Sequence, residues 1–271
     1  MPYVLTVSGS LRKDSFHTRL LSIGETELQR LGVDTDRVDL RELPRFDEDF
    51  DNDEFRPGAV AALLAKVSSA DAILIATPTY NGSLPSGVKD FLDWCSRPLG
   101  AGALRGHKVG LIAASPGPRG GAPGLEYLQR ILPALGSTLL KPIVSVPSVH
   151  SAFDPEGVVS TEVSSQLLDI ARCVALAAKG AQVIDEPSSQ RYELRLGPDG
   201  PVVGFADYRI VGDYVELPHT VTQPEFGGQG IASALIRDVL DQIRTQDRRV
   251  IPSCEFVARF IEKNPEYQTM L

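Results

Sequence analysis

The sequence predicts an α/β protein: a parallel sheet covered by helices on both faces, followed from about residue 190 by a small α+β domain. Two observations predict it. Over the first two thirds of the chain, short β-branched apolar runs alternate five times with amphipathic stretches, the pattern of repeated strand–helix–strand units. Past residue 190 that alternation stops, and two strand patterns flank a Gly-Pro-Asp-Gly turn as a hairpin would.

In order, the apolar runs place strands at 3–7, 33–40, 72–77, 109–114 and 139–145, and helical spacing places helices at 16–31, 59–67, 88–95, 125–135 and 163–178. Lys89, Phe91 and Trp94 recur at helical spacing, which assigns the two aromatics to a core or a subunit interface. Sheets of this kind bind ligands beyond the carboxyl ends of their strands. The polar, Pro- and Ser-containing segment 185–190 divides the chain into domains 1–185 and 190–271. The second domain then reads as strands at 191–196, 202–210 and 214–221, a helix at 231–244, a strand at 250–253 and a helix at 255–263, with His219 on an apolar strand as a core histidine.

Composition narrows the function classes. The net charge of -8 with no Lys/Arg run argues against a nucleic-acid partner. No stretch approaches the ~18 uncharged apolar residues of a membrane span, and the first residues lack a signal-peptide layout, so no membrane partner and a cytoplasmic location are expected. Cys95, Cys173 and Cys254 stand far apart in no metal-binding spacing, which suits a reducing compartment and predicts no metal site.

Three loops fall on one edge, because each follows a strand of one parallel sheet. The first, "SGSLRKDSFH", puts backbone N–H groups, the Ser10 and Ser15 hydroxyls and the Arg12 cation at the start of a helix, where a phosphate is the expected guest. The same serine equally suits a plain helix cap. The second, "TPTYNGSLPSGVKDFLDW", offers an aromatic and an amide for a planar ring, and the third, "SPGPRGGAPG", allows close backbone approach.

The pattern G-S-x-R-x-x-S, then P-x-Y-N-x-S-x-P-x-x-x-K-D-x-x-D-W, then S-x-G-x-x-G-G resembles the NADPH-dependent FMN reductase family of quinone, chromate and azo-dye reductases over about two thirds of the chain. The resemblance implies a flavodoxin-like, doubly wound five-stranded sheet of order 2-1-3-4-5. It places the FMN phosphate against Ser10, Arg12, Ser15, Phe16 and His17, and lines the isoalloxazine with Pro78, Tyr80, Asn81 and Gly82, with Ser115 and Gly121 on the other side. It also implies NAD(P)H as hydride donor, a quinone-like or other aromatic acceptor, a ping-pong cycle in which the protein positions and shields, and a homodimer or homotetramer built through this domain. The chain departs from the family at His17, where relatives commonly have Asn and where an imidazole can still donate to phosphate, and at Thr79, where many have Glu.

In the second domain, "PEFGGQGIASALIRDVL" is a glycine turn feeding an amphipathic helix. Together with "HT" at 219–220 and "IPSCEFVARFIEKNPEY", it resembles the smallest single-domain members of the GNAT acetyltransferase superfamily. The resemblance implies acetyl-CoA at Gly227, Gly228, Gln229, Gly230, Ile231 and Ala232, and Cys254 as a catalytic nucleophile at a helix N-terminus. Gly227, Val221, Glu255 and Asn264 depart from the group's residues, and Glu255 beside Cys254 is expected to raise the thiol pKa by like charge. Cys254 also reads as a small buried hydrophobe.

The combined expectation is an NAD(P)H-dependent, FMN-containing reductase fused to a GNAT-like domain, whose second activity would cap an amine formed by nitro or azo reduction. Two other classes fit the same residues: a redox- or CoA-sensing regulatory protein, and an acetyltransferase regulated by the flavin domain.

Overall fold

A computed structural model describes residues 1–52 and 54–271 of the chain. Its first unit, Met1–Ala178, runs β1 (Tyr3–Ser8), α1 (Phe16–Arg30), β2 (Asp34–Val38), α2 (Gly58–Ser69), β3 (Ala72–Thr77), α3 (Ser86–Cys95), β4 (Lys108–Ala114), α4 (Ala122–Ala134), β5 (Thr138–Leu139), β6 (Val144–Val146) and α5 (Thr161–Ala178). The strands pair in parallel in the order β2-β1-β3-β4-β5, the flavodoxin-like order, with β6 also on β4.

The two-residue period of each strand sorts its side chains between two cores. Leu5, Val7, Ile73, Ile75, Val109 and Leu111 face α2, α3 and α4, where Phe91 and Trp94 are buried and the Trp94 indole N–H donates to the Pro44 carbonyl at 3.0 Å. Val4, Leu74, Ala76 and Ile112 face α1 and α5 on the other side. The aromatics of α3 are therefore core, and Lys89 on the same helix pairs with Asp93 at 2.6 Å.

Helix α5 approaches β4 closely because Gly110 has no side chain. A Cβ there would lie 2.7 Å from a Val174 methyl and 3.0 Å from a Leu74 methyl. Gly110→Val is therefore expected to lower stability by roughly 1–3 kcal/mol through overpacking, read as a lower urea midpoint at unchanged slope.

The fifth strand is corrected. In place of one run at 139–145, two short strands each pair with β4 and are separated at 140–143. Pro142 lies in that gap and has no N–H to give to a ladder.

The second unit, Lys179–Leu271, runs β7 (Ala181–Glu186), β8 (Arg191–Leu196), β9 (Val202–Val211), β10 (Tyr214–Thr222), α6 (Ile231–Thr245), β11 (Arg249–Ile251) and α7 (Glu255–Lys263). The sheet order is β11-β10-β9-β8-β7, antiparallel except for the parallel pair β10–β11. Strand β7 was not expected from the sequence, and segment 185–190, expected to divide the two domains, is the end of β7 and the tight turn into β8, inside the second unit. The buried Ile231, Leu235, Ile236, Val239, Leu240 and Ile243 form the apolar stripe of α6.

Strand β10 carries a register shift between Glu216 and His219, at Pro218. The shift reverses the in-out alternation: Val215 and Leu217 are buried, whereas His219 is exposed, which corrects its reading as a core histidine. Among the described residues, no helix is long and apolar enough to cross a membrane, and no group of three or more His, Cys, Asp or Glu is placed to hold a metal ion.

Candidate functional site

Three turns meet at the carboxyl edge of the first sheet because β1, β3 and β4 run in one direction. The first turn leaves β1 at Gly9, whose N–H donates to the Ala76 carbonyl at 2.7 Å. A Cβ on Gly9 would lie 2.7 Å from a Val88 methyl and 3.1 Å from Pro78 Cδ, so the first turn lies directly against the second. Ser15 caps α1, its Oγ accepting from the Thr18 N–H at 3.4 Å, and its hydroxyl hydrogen stays available to a guest. The backbone N–H groups of Phe16 and His17, the first two of the helix, have no intrahelical acceptor. Ser10 and Ser15 are buried, while Arg12 is exposed.

A cavity of about 150 Å³ lies where the turns converge. Ser10, Arg12, Ser15, Phe16 and His17 line it from the first, Pro78, Thr79 and Tyr80 from the second, and Ser115 from the third. Asn81, Gly82 and Gly121 stand outside the wall and shape it. Asn81 and Gly82 both have positive φ, 51° and 77°, between the reciprocal hydrogen bonds Tyr80 N–H to Ser83 O (2.9 Å) and Ser83 N–H to Tyr80 O (3.0 Å). This two-residue turn presents the half-exposed Tyr80 ring. Gly121, at φ 86°, starts α4 so close to β4 that a Cβ would lie 2.9 Å from that of Ala113. Thr79 ties two turns together: its hydroxyl donates to the Gly121 carbonyl at 2.9 Å and accepts from the Gly124 N–H at 3.0 Å.

The expectation that the His17 imidazole donates to a phosphate is corrected. The ring is buried, and its Nε2–H donates to the Ala114 carbonyl at 3.0 Å. Burial pushes its pKa down to about 4, with the Ala114 bond opposing. The neutral ring's other nitrogen is then an acceptor, which leaves only the His17 backbone N–H as a donor.

Sequence reasoning missed Val149 and His150, which complete the wall. They follow β6 on the same sheet edge, and Val149 N–H donates to the Ser115 carbonyl at 3.0 Å. His150 sets its ring edge-on to Phe16 at 4.9 Å, and the segment beyond it is held by Arg19, which lies 4.0 Å from the Phe153 ring and donates to the Gly157 carbonyl at 2.6 Å. The rule that found the other three loops reaches this one too, once the last strand is given its true end.

In the second unit, Gly227, Gly228, Gln229 and Gly230 make the turn into α6, with positive φ at Gly228 (73°) and Gly230 (78°). Ala234 N–H is bonded to Gly230 O, so the N–H groups of Ile231, Ala232 and Ser233 precede the first closed helical turn. A Cβ on Gly204 of β9 would lie 2.7 Å from an Ile231 methyl, so glycine there lets the helix start sit on the sheet.

Cys254 is the N-cap of α7, and its N–H donates to the Leu217 carbonyl at 2.9 Å. Burial alone would raise the thiol pKa, but the Val257 and Phe256 N–H groups and the Thr220 hydroxyl favour the anion, and the net direction is down. The expected rise caused by Glu255 is therefore corrected: that carboxylate pairs with Arg259, four residues along the helix. Iodoacetamide alkylation is expected to show a thiol titrating below the usual cysteine range, absent in Cys254→Ala and moved upward in Thr220→Val. Cys95, by contrast, is fully buried, and burial pushes its thiol pKa up.

These features define a flavodoxin-like α/β unit with a cavity at its carboxyl edge, followed by a GNAT-like unit. The family model "NADPH-dependent FMN reductase" matches residues 2–151, and the chain belongs to that family. The model "GCN5-related N-acetyl-transferase" matches residues 191–270. Among curated proteins, an NADPH:quinone oxidoreductase of Arabidopsis thaliana is 34% identical over 61% of this chain and 85% of its own length, and a 2-hydroxy-1,4-benzoquinone reductase of a Burkholderia species is 32% identical over 59% of this chain and 86% of its own. Among solved structures, the flavoenzyme NAD(P)H:(acceptor) oxidoreductase FerB from Paracoccus denitrificans superposes with a TM-score of 0.57 at 26% identity, over 64% of this chain and 97% of its own.

Proposed function

We propose that the chain is an NAD(P)H-dependent, FMN-binding oxidoreductase that reduces quinones or similar flat aromatic acceptors, carried on one polypeptide with an acetyl-CoA-binding unit. The observation that carries the reading is the meeting of three turns at one cavity, with donors and a cation at one side and Pro78 and Tyr80 at the other. That donor set fits FMN: the Phe16 and His17 N–H groups, the Ser10 and Ser15 hydroxyls and Arg12 suit its phosphate, and Pro78, Tyr80 and Ser115 suit its ring. Bound there, FMN would supply two-electron chemistry between NAD(P)H and a quinone, with the hydroquinone as product.

The side chains of the wall hold and exclude. His17 is spent on Ala114, Thr79 on the third turn, and Tyr80 presents one flat face where donor and acceptor would bind in alternation. Initial rates with NADPH and a soluble benzoquinone are expected to give parallel double-reciprocal lines. Intersecting lines would sink the alternation, and the absence of steady turnover would favour a redox sensor.

In the second unit the reading places the acetyl-CoA pyrophosphate at the turn 227–232, with Cys254 as acyl acceptor. The thiolate would attack the acetyl carbonyl, and the CoA thiolate would leave and take a proton. The lowered thiol pKa supports this. Intact-mass analysis after incubation with acetyl-CoA tests it: a 42-Da adduct lost in Cys254→Ala is expected, and no adduct would leave Cys254 a structural residue.

A further inference from the structure

Two imidazoles stand in the wall of the cavity at the carboxyl edge, and one of them is open to a guest. His17 is buried and commits its Nε2–H to the Ala114 carbonyl at 3.0 Å. His150 is exposed, and among the described residues no hydrogen bond or ion pair engages its ring.

The chain bends sharply to bring His150 there. Ser148 is left-handed, with φ 45° and ψ 47°, a shape that is unfavourable for a residue with a side chain and persists where the surroundings over-determine it. Here they do: Ser148 N–H donates to the Gly117 carbonyl at 3.1 Å and Val149 N–H to the Ser115 carbonyl at 3.0 Å, which ties the bend to the third turn. The 3-10 turn Val149–Ala152 that follows buries Val149 and leaves His150 at the cavity. The His150 ring stands perpendicular to that of Phe16, with an interplanar angle of 89°. Phe16 is the first residue of α1, so His150 flanks the helix start whose N–H groups have no intrahelical acceptor.

The charges of the wall give this position a role. A phosphomonoester brings three acceptor oxygens and a charge of about -1.5 to -2 at neutral pH. Among the described residues that line the cavity, Arg12 is the one permanent cation, and none is a carboxylate. One exposed guanidinium leaves part of a phosphate's charge unmatched. An imidazole donates through one ring nitrogen when neutral and through both when protonated, so it serves an anion in either state.

We propose that His150 donates a hydrogen bond to the FMN phosphate and strengthens the preference of the site for FMN over riboflavin, which lacks that phosphate. The proposal rests on the reading of this cavity as the flavin site. It gives the loop after β6 a part in binding, and it gives to His150 the imidazole contact that the bond to Ala114 denies to His17.

The test is equilibrium dialysis of the full-length wild type, His150→Ala, His150→Phe and His150→Gln against FMN and, separately, against riboflavin. His150→Phe keeps a ring beside Phe16 but removes the donor, whereas His150→Gln keeps a donor without the ring. His150→Ala and His150→Phe are each expected to bind FMN about tenfold more weakly, about 1.4 kcal/mol, and riboflavin within about twofold of the wild type. His150→Gln should recover part of the FMN loss. Wild-type FMN affinity in His150→Phe would make the imidazole a packing group, and equal losses for FMN and riboflavin would make it a support of the loop; either result overturns the proposal. So would a wild type that binds the two flavins equally well. A wild type that binds neither flavin would instead refute the flavin reading itself, and the proposal would fall with it.

Discussion

Gly9→Val is expected to yield a folded protein that holds FMN at least a hundredfold more weakly than the wild type. The reason is space rather than backbone angle. A Cβ at Gly9 would stand 2.7 Å from a Val88 methyl and 3.1 Å from both Pro78 Cδ and Thr77 Oγ1, inside the wall between the first two turns. A branched side chain must push those turns apart. The donors of the first turn and the Pro78–Tyr80 face would then no longer address one guest, and two or more lost contacts of about 1.5 kcal/mol each make a hundredfold. Gly9→Ala should fall between the two. Equilibrium dialysis against FMN, with circular dichroism to confirm the fold, makes the measurement; wild-type affinity in Gly9→Val would show that the turns do not act together.

The second large effect is a loss of stability in mild acid that His17→Asn removes. The imidazole is buried, its Nε2–H is committed to Ala114, and its pKa is pushed down to about 4. Above pH 6.5 the ring is neutral whether the chain is folded or not, so it costs nothing there. Between 6.5 and 4 the unfolded chain takes up a proton that the folded one resists, and stability falls with the pH. At about 1.4 kcal/mol per pH unit the full displacement amounts to about 3 kcal/mol. Glu27, held low mainly by its bond from Arg30 against the opposing effect of burial, with Arg172 assisting, adds a loss of the same sign. That loss develops mainly below about pH 5, as a glutamate of the unfolded chain takes up its proton, so the interval from 6.5 to 5 is governed by His17. Urea midpoints across that interval should slope in the wild type and flatten in His17→Asn; equal slopes would place the ring in water.

The parallel sheet and the three turns on one edge were legible in the sequence because they follow from local pattern, whereas the strand order came from the family resemblance. Apolar runs mark parallel strands, and whatever follows a parallel strand lies on the same edge. What escaped was set by single residues acting on hydrogen-bond ladders. Pro142 interrupts the last strand, so its true end at Val146, and with it the Val149–His150 wall, went unseen. Pro218 marks the register shift in β10 that turns His219 outward against the alternation of its neighbours. Strand β7 was hidden because Ala181–Glu186 mixes polar and apolar residues on a strand with no fully buried position. Site chemistry was less legible than site position. That His17 donates to Ala114, and that the first helical turn outweighs burial at Cys254, depend on partners far away in sequence or on backbone N–H groups that no residue identity reveals.

The most direct test of the flavin site is the visible absorption spectrum of the purified full-length protein, recorded anaerobically before and after NADPH and, in parallel, NADH. The account predicts a flavin band that travels with the protein and bleaches on adding nicotinamide. A protein that shows no flavin band, even after incubation with FMN and removal of the excess, would contradict it.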